Sequence, residues 1–134
     1  MSSNVAAVEA LYKAFGEGNI PFILDSLADK VKWDHTHNQG HGIPVLVPRN
    51  SRDEIGAFFQ LLADKMDFQV FEVKKLFDGG EHVMAWLEVK YVHKDTKKEF
   101  HDEHCCMLWE FDEAGKVAAF THVVDTHAEY LAWN

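Results

Sequence analysis

The sequence predicts an α+β fold, with helices in the first half of the chain and antiparallel strands in most of the second. Two segments before residue 67 carry apolar residues at the spacing of amphipathic helices. After that point the apolar residues alternate with polar ones, as strands require, and short turn sequences separate the runs. No linker or repeat interrupts the chain, so we expect a single domain over residues 1–134.

The first helix is indicated by apolar residues three or four positions apart, and it ends near Gly16 and Gly18. A short second helix follows, for which Asn19 is the expected N-cap and Pro21 lies in the first turn. A third helix opens at Ser51, the start of a capping box of the form S-x-x-E. Its apolar face is broad: Ile55, Phe58, Phe59, Leu62 and Met66.

Strands are expected at five places, and each turn between the last four has hairpin chemistry. The first strand spans Val31–His37 and precedes an irregular segment rich in glycine and proline. Asp125 then caps a last helix over Thr126–Trp133. The four strands of the expected meander are Phe68–Phe77, His82–His93, Glu99–Phe111 and Val117–Val124.

Charge and composition exclude several classes of partner. The net charge is −9, and the chain has only two arginines, Arg49 and Arg52, so we expect neither nucleic acid nor an anionic membrane as a partner. No apolar run reaches the roughly 18 residues of a membrane span, and the first residues lack the features of a signal peptide. Cys105 and Cys106 are adjacent, which disfavours a disulfide between them. Free thiols suit a cytoplasmic location.

Several local phrases, together with the order of elements, resemble the NTF2-like superfamily, and within it the SnoaL-like, ketosteroid-isomerase-related proteins. The resemblance implies a cone in which a curved antiparallel sheet wraps a long helix and encloses a deep pocket. It also implies a homodimer through the outer sheet face and a small hydrophobic ligand or substrate. The matching phrases are Tyr12–Pro21, Leu27–Trp33, Arg52–Phe59 (RDEIGAFF), Trp109–Val117 (WEFDEAGKV) and Asp125-Thr126.

The alternation of strands, combined with this resemblance, indicates which side chains face the pocket. In the first strand, Trp33, His35 and His37 share one face, and Asp34 lies on the other. The match of Gly115 and its neighbours to the family's hairpin implies the inward residues of the last two strands. The predicted ligand-contacting residues are Phe15, Trp33, Phe58, Leu62, Glu103, Met107, Trp109, Phe120 and Val124.

Ketosteroid isomerases use an Asp base, with a Tyr and a protonated Asp as donors to the oxyanion. The resemblance puts the base position on His35, beside Asp34, and the position of the protonated acid on Met107, which cannot donate a proton. His35, His122, Tyr12 and Asp34 are therefore the predicted catalytic candidates. A neutral imidazole in an apolar cleft is a competent acid or base and needs no cofactor.

The functional prediction is isomerase- or lyase-type acid–base chemistry on a small apolar molecule. The alternative is a non-catalytic ligand-binding or dimerisation module of the same fold. A three-histidine metal site at His35, His37 and His41 is conceivable, but the spacing is not a zinc signature, so we predict no metal. An epoxide hydrolase of the limonene type is less favoured, because neither arginine lies on a pocket-facing strand.

Overall fold

The structure is a computed structural model that describes residues 3–35 and 42–134. The described residues form four α-helices, a short 3-10 helix at Pro44–Leu46 and one sheet of five strands. In chain order the elements are α1 (Ser3–Gly16), α2 (Ile20–Asp25), β1 (Leu27–His35), α3 (Arg52–Lys65), β2 (Met66–Gly79), β3 (His82–His93), β4 (Glu99–Phe111), β5 (Val117–Val123) and α4 (Thr126–Trp133).

The strands are ordered β1-β5-β4-β3-β2 in the sheet, and the predicted α+β class is confirmed. Strands β2 to β5 form the expected antiparallel meander. Strand β1 differs from the expectation of an entirely antiparallel sheet, because it lies parallel to β5. This parallel pairing sets Trp33 beside Phe120 and His35 beside His122. The end of β1 therefore has these residues of β5 as its neighbours.

Strand β1 begins at Leu27 rather than at the predicted Val31, because Leu27 already pairs with Val117 of β5. The predicted end of this strand, at Thr36 and His37, falls outside the described residues. Strand β2 begins at Met66, directly after α3, so the chain changes from helix to strand without a connecting loop.

The helix caps form as the sequence predicts. The side chain of Asn19 accepts a hydrogen bond from the Phe22 amide at 3.3 Å. Ser51 Oγ accepts from the Glu54 amide at 3.1 Å, and Glu54 Oε1 accepts in turn from the Asn50 amide at 2.9 Å. Such reciprocal contacts fix where α3 starts. Its buried face, Ile55, Phe58, Phe59 and Leu62, then packs towards the sheet.

The sheet is curved and unclosed, and register shifts interrupt several of its strand pairs. One shift corrects a prediction. Leu87 pairs with Cys105, but Val89 pairs with Asp102, so two residues of β4, Glu103 and His104, stand opposite one residue of β3. Such a β-bulge reverses the alternation of side chains beyond it. Glu103 is therefore exposed rather than facing inwards, and the half-buried Asp102 takes the inner side.

No helix in the described ranges is both long enough and apolar enough to cross a lipid bilayer.

Candidate functional site

An internal cavity of about 80 Å³ lies between the concave face of the sheet and helices α1 and α3. The residues around it are almost all apolar, and half of them carry aromatic rings. The aromatic members are Tyr12, Phe15, Trp33, Phe58, Phe59, Phe68, Phe71, Tyr91, Phe100, Trp109 and Phe120. Ring contacts hold this wall together; Trp33 stacks on Phe120 with centroids 4.0 Å apart. The site is therefore an apolar cavity with few polar atoms on its wall.

Two histidines, His35 and His122, are among the few polar residues on the wall. They are register partners on β1 and β5, and their ring centroids are 5.7 Å apart. His35 is buried, and neither of its ring nitrogens has a hydrogen-bond partner among the described residues. His122 is half-buried as a residue, but its Nε2 atom is out of solvent and also lacks a partner. Buried polar atoms without partners are rare and mark sites with a further role.

Both imidazoles are neutral at physiological pH. Burial, with smaller contributions from the neighbouring His122 and Arg49, lowers the pKa of His35 to about 3. Burial likewise lowers the pKa of His122 to about 4, against a smaller opposite effect of Asp102. Removing a cationic imidazolium from water is costly, so an apolar cavity favours the uncharged ring. Each ring therefore offers one N–H donor and one nitrogen acceptor.

Tyr12 also reaches the cavity, from α1. Its hydroxyl accepts a hydrogen bond from Trp109 Nε1 at 2.9 Å and donates to Met107 Sδ at 3.2 Å. Burial raises the pKa of Tyr12, so the phenol stays protonated. Thioether sulfur is a weak acceptor. The hydroxyl proton can therefore be redirected to a ligand oxygen at little cost.

Glu129 is a cavity residue that the sequence did not indicate. It lies on α4, is 3% exposed, and lines the same enclosure as the two histidines. Its Oε1 accepts from the Tyr91 hydroxyl at 3.1 Å, whereas its Oε2 is buried without a partner. Burial raises the pKa of this carboxyl to about 8. Only the helical repeat could have indicated from the sequence that Glu129 is buried, since it shares the buried side of α4 with Ala132, three residues later.

Some of the predicted site residues line the cavity, and others do not. The structure places three of the four catalytic candidates, His35, His122 and Tyr12, on the cavity. Asp34 is half-buried on the other face of β1, and Val124 lies beyond the end of β5; neither lines the cavity, and neither does the outward-facing Glu103. The ligand-contacting candidates that do line it are Phe15, Trp33, Phe58, Leu62, Met107, Trp109 and Phe120.

Neither arginine lines the cavity. Arg49 lies 5.0 Å over the Phe58 ring, on the far side of the wall, and donates to the carbonyl oxygens of Pro44, Val45 and Val47. Arg52 donates to the Leu27 carbonyl at 2.6 Å. Arg52 also lies 3.5 Å from Asp29 Oδ1. Both guanidinium groups thus have partners away from the cavity, and an Asp-Arg-Asp set does not form around it in the described chain.

A possible metal-ligand group occurs elsewhere, on the outer face of the sheet. Glu88, His101 and Glu103 bring one ligand atom each within 4.8 Å of one another. His101 Nε2 is already 2.6 Å from Glu88 Oε2, and Lys74 Nζ is 3.8 Å from the other oxygen of Glu88. Glu88 therefore already has two partners at this place, His101 and Lys74. Of the three histidines considered from the sequence, His37 and His41 lie outside the described residues.

Solved structures share this fold over almost their whole length. An NTF2-like protein of unknown function from Burkholderia pseudomallei K96243 is 19% identical, with 100% of this chain and 99% of that chain covered and a TM-score of 0.86. One from Burkholderia thailandensis E264 is 24% identical at the same coverage and TM-score. TerC, co-crystallised with polyporic acid, is 17% identical, with 98% of each chain covered and a TM-score of 0.82.

Similarity at these identities establishes the fold and nothing more. Further neighbours bear provisional isomerase or SnoaL-like polyketide cyclase names. A search of curated proteins found no match. The family model of the SnoaL-like domain matches residues 8–120, which include most of α1, strand β1 with His35 and most of the sheet up to Phe120. On this match over most of its length, the chain belongs to the SnoaL-like domain family.

Proposed function

We propose that the protein is a cofactor-independent enzyme that moves a proton on a small apolar molecule carrying an oxygen function, in an isomerase- or lyase-type reaction. The observation that carries the proposal is the pair His35 and His122, two buried imidazoles with unpartnered nitrogens on the wall of one apolar cavity. An unmet buried hydrogen bond costs about 1–3 kcal/mol. A ligand that fills these positions would recover that free energy.

The chemistry follows from the neutral state of the rings. A neutral imidazole of His35 accepts a proton from a carbon next to a carbonyl, and the carbonyl becomes an enolate. The low pKa of His35 in the empty cavity reflects burial without a counter-charge. An enolate formed beside the ring supplies that counter-charge, so the basicity of His35 rises as the reaction proceeds. The second imidazole or the Tyr12 hydroxyl donates to the developing oxyanion.

Two further findings support a ligand of this class. The aromatic wall suits a flat apolar molecule, and such pockets typically place a few polar groups among many apolar ones. TerC, which has the same fold, has been co-crystallised with polyporic acid. No step of the proposed reaction requires a metal ion or an organic cofactor.

The test is proton exchange in small ketones. Exchange of the α-protons of 2-tetralone, 2-indanone and cyclohexanone in D₂O is followed by ¹H NMR, with and without the purified protein. General acid–base catalysis contributes roughly 100- to 10,000-fold. We expect protein-dependent acceleration of at least about tenfold for one ketone, even though none is the native substrate. Binding without acceleration would instead support the non-catalytic module. If the protein neither binds these ketones nor accelerates their exchange, the proposal is overturned.

We propose in addition that the outer face of the sheet forms a homodimer. Met84 and Val123 on this face are exposed, and Trp86, Cys106 and Leu108 are only half-buried in the isolated chain. An exposed apolar face of a sheet is typical of an interface. Light scattering of the purified protein is expected to give twice the mass of the chain. Replacing Met84 by Lys would then yield monomers, whereas a monomeric wild type would rule the dimer out.

A further inference from the structure

Glu129 holds a buried carboxyl group whose second oxygen is not hydrogen-bonded by any residue that the structure describes. It lies on α4 and lines the cavity together with the aromatic side chains of the helices and strands. Its side chain is almost fully out of solvent, and its Oε2 has no hydrogen-bond partner. A purely structural carboxyl is expected to satisfy both oxygens. The unsatisfied oxygen lies in the same enclosure as the unpartnered nitrogens of His35 and His122.

The hydrogen-bond chain behind Glu129 fixes which of its oxygens carries a proton. Trp133 Nε1 donates to the Tyr91 hydroxyl oxygen at 2.8 Å. An indole N–H can only donate, so the Tyr91 hydroxyl proton is directed onwards, to Glu129 Oε1 at 3.1 Å. Oε1 is thereby an acceptor. In the neutral carboxyl the proton therefore resides on Oε2, the oxygen without a partner.

The surroundings of Glu129 favour this neutral form. Burial raises the pKa of the carboxyl to about 8, Tyr91 on β3 lowers it, and Asp102 on β4 and Asp125 at the start of α4 raise it. Cys105 on β4 also interacts electrostatically with Glu129, and burial keeps its own pKa high, at about 12. The imidazoles across the cavity are neutral, so no cation faces the carboxyl from that side.

We propose that Glu129 contacts the ligand and donates a hydrogen bond from Oε2 to one of its oxygens. The inference rests on the proposed function and narrows it: the ligand is a small apolar molecule with an acceptor oxygen, such as a ketone, rather than a hydrocarbon. Because Glu129 and the imidazole pair line the same cavity, a ligand carbonyl that accepts from Glu129 would have its neighbouring C–H in the same space as a base.

The experiment compares two probes of nearly the same shape, 2-tetralone and the hydrocarbon tetralin, which lacks the acceptor oxygen. Dissociation constants come from NMR titration of ¹⁵N-labelled protein at about pH 6.5 and pH 9.5, conditions that bracket the pKa of Glu129. Circular dichroism confirms the fold at each pH. A single hydrogen bond corresponds to roughly a three- to tenfold preference for the ketone. We expect that preference in the wild type at the lower pH and its loss at the higher pH, where Oε2 is ionised and can no longer donate.

Two variants and a control separate Glu129 from other causes. Glu129→Gln keeps a donor that does not titrate, so its preference for the ketone is expected at both pH values. Glu129→Leu removes the donor, and its preference is expected at neither. Glu113→Gln, in the exposed turn after β4, is expected to match the wild type.

A wild-type preference that does not change with pH, or a preference retained by Glu129→Leu, would overturn the assignment of Glu129. Neither result bears on the proton-exchange assay of the proposed function, which has its own readout. Conversely, a pH-dependent preference for the ketone without any proton exchange would reject the proposed enzymatic function. Glu129 would then still be assigned as a residue that contacts the ligand.

Discussion

His35 and His122 face each other across the parallel strands β1 and β5, with ring centroids 5.7 Å apart and ring planes at 62°. Phe58 and Phe120 flank the His35 ring, at 5.6 and 6.3 Å between centroids. The pair is thus enclosed by apolar rings, and a positive charge on His122 would disfavour one on His35. This mutual effect makes the cavity a site that stays uncharged until a ligand brings an opposite charge.

Stability should fall in mild acid because of this pair. The folded-state pKa values, about 3 for His35 and about 4 for His122, are below the unfolded value of 6.5. The unfolded chain therefore binds more protons below pH 6.5, so the stabilisation is complete above that pH and is lost as the pH falls towards the folded pKa. Each histidine contributes a slope of about 1.4 kcal/mol per pH unit.

Urea titrations at several pH values between about 7 and 5 measure this slope in the free energy of unfolding. His35→Gln and His122→Gln should each give a flatter dependence than the wild type. His82→Gln is the control, since His82 is half exposed and lies at the far end of the sheet next to Glu110. Equal slopes in all four proteins would show that the pair is not held neutral by burial.

Replacing Tyr12 by Phe should destabilise the protein by about 1–3 kcal/mol, because Trp109 Nε1 would lose its acceptor inside the wall. The free energy of unfolding is again the measurement. Tyr130→Phe on α4 is the matched control, with an exposed side chain and an expected change within about 0.5 kcal/mol. If Tyr12→Phe leaves the free energy of unfolding unchanged, the Trp109 N–H must be hydrogen-bonded to water or to another partner.

Arg49 is expected to be more important for the stability of the wall than its partly exposed position suggests. Its guanidinium donates to three carbonyl oxygens of the segment that contributes Val45 and Leu46 to the cavity. Lysine cannot reproduce this fork of donors. Arg49→Lys should therefore lower the free energy of unfolding by about 1–2 kcal/mol. Lys30→Arg, on the exposed side of β1, should change it by less than about 0.5 kcal/mol; an equal effect of the two would contradict this role.

The sequence was informative where a repeating pattern extended over many residues. Alternation and turn chemistry predicted the meander, with β3 and β4 at their observed bounds, and Ser51 predicted the start of α3. The same alternation put Trp33 and His35 on one face of the first strand, which needs no knowledge of partners. That Met107 and Trp109 face the interior was implied by the resemblance to the family's hairpin.

Two features could not be predicted from the alternation of side chains along the strands. The bulge in β4 adds one residue opposite Glu88, and because Glu103 and His104 are both polar, no break in the pattern reveals it. Glu129 lies in an eight-residue helix whose neighbours Tyr130 and Leu131 are exposed. A short helix with Tyr130 and Leu131 outside and a carboxyl inside departs from the usual amphipathic pattern. Only the packing of α4 against β3 and β4 shows which side of it is buried.

The central claim is that the imidazole pair moves a proton, and the rate of α-proton exchange in His35 and His122 variants tests it most directly. With the ketone that the wild type exchanges fastest, His35→Gln and His122→Gln are compared with His82→Gln at equal concentration and near pH 7. We predict that at least one cavity variant falls by about 100-fold or more while His82→Gln keeps the wild-type rate. Unchanged exchange in both folded cavity variants would contradict the claim.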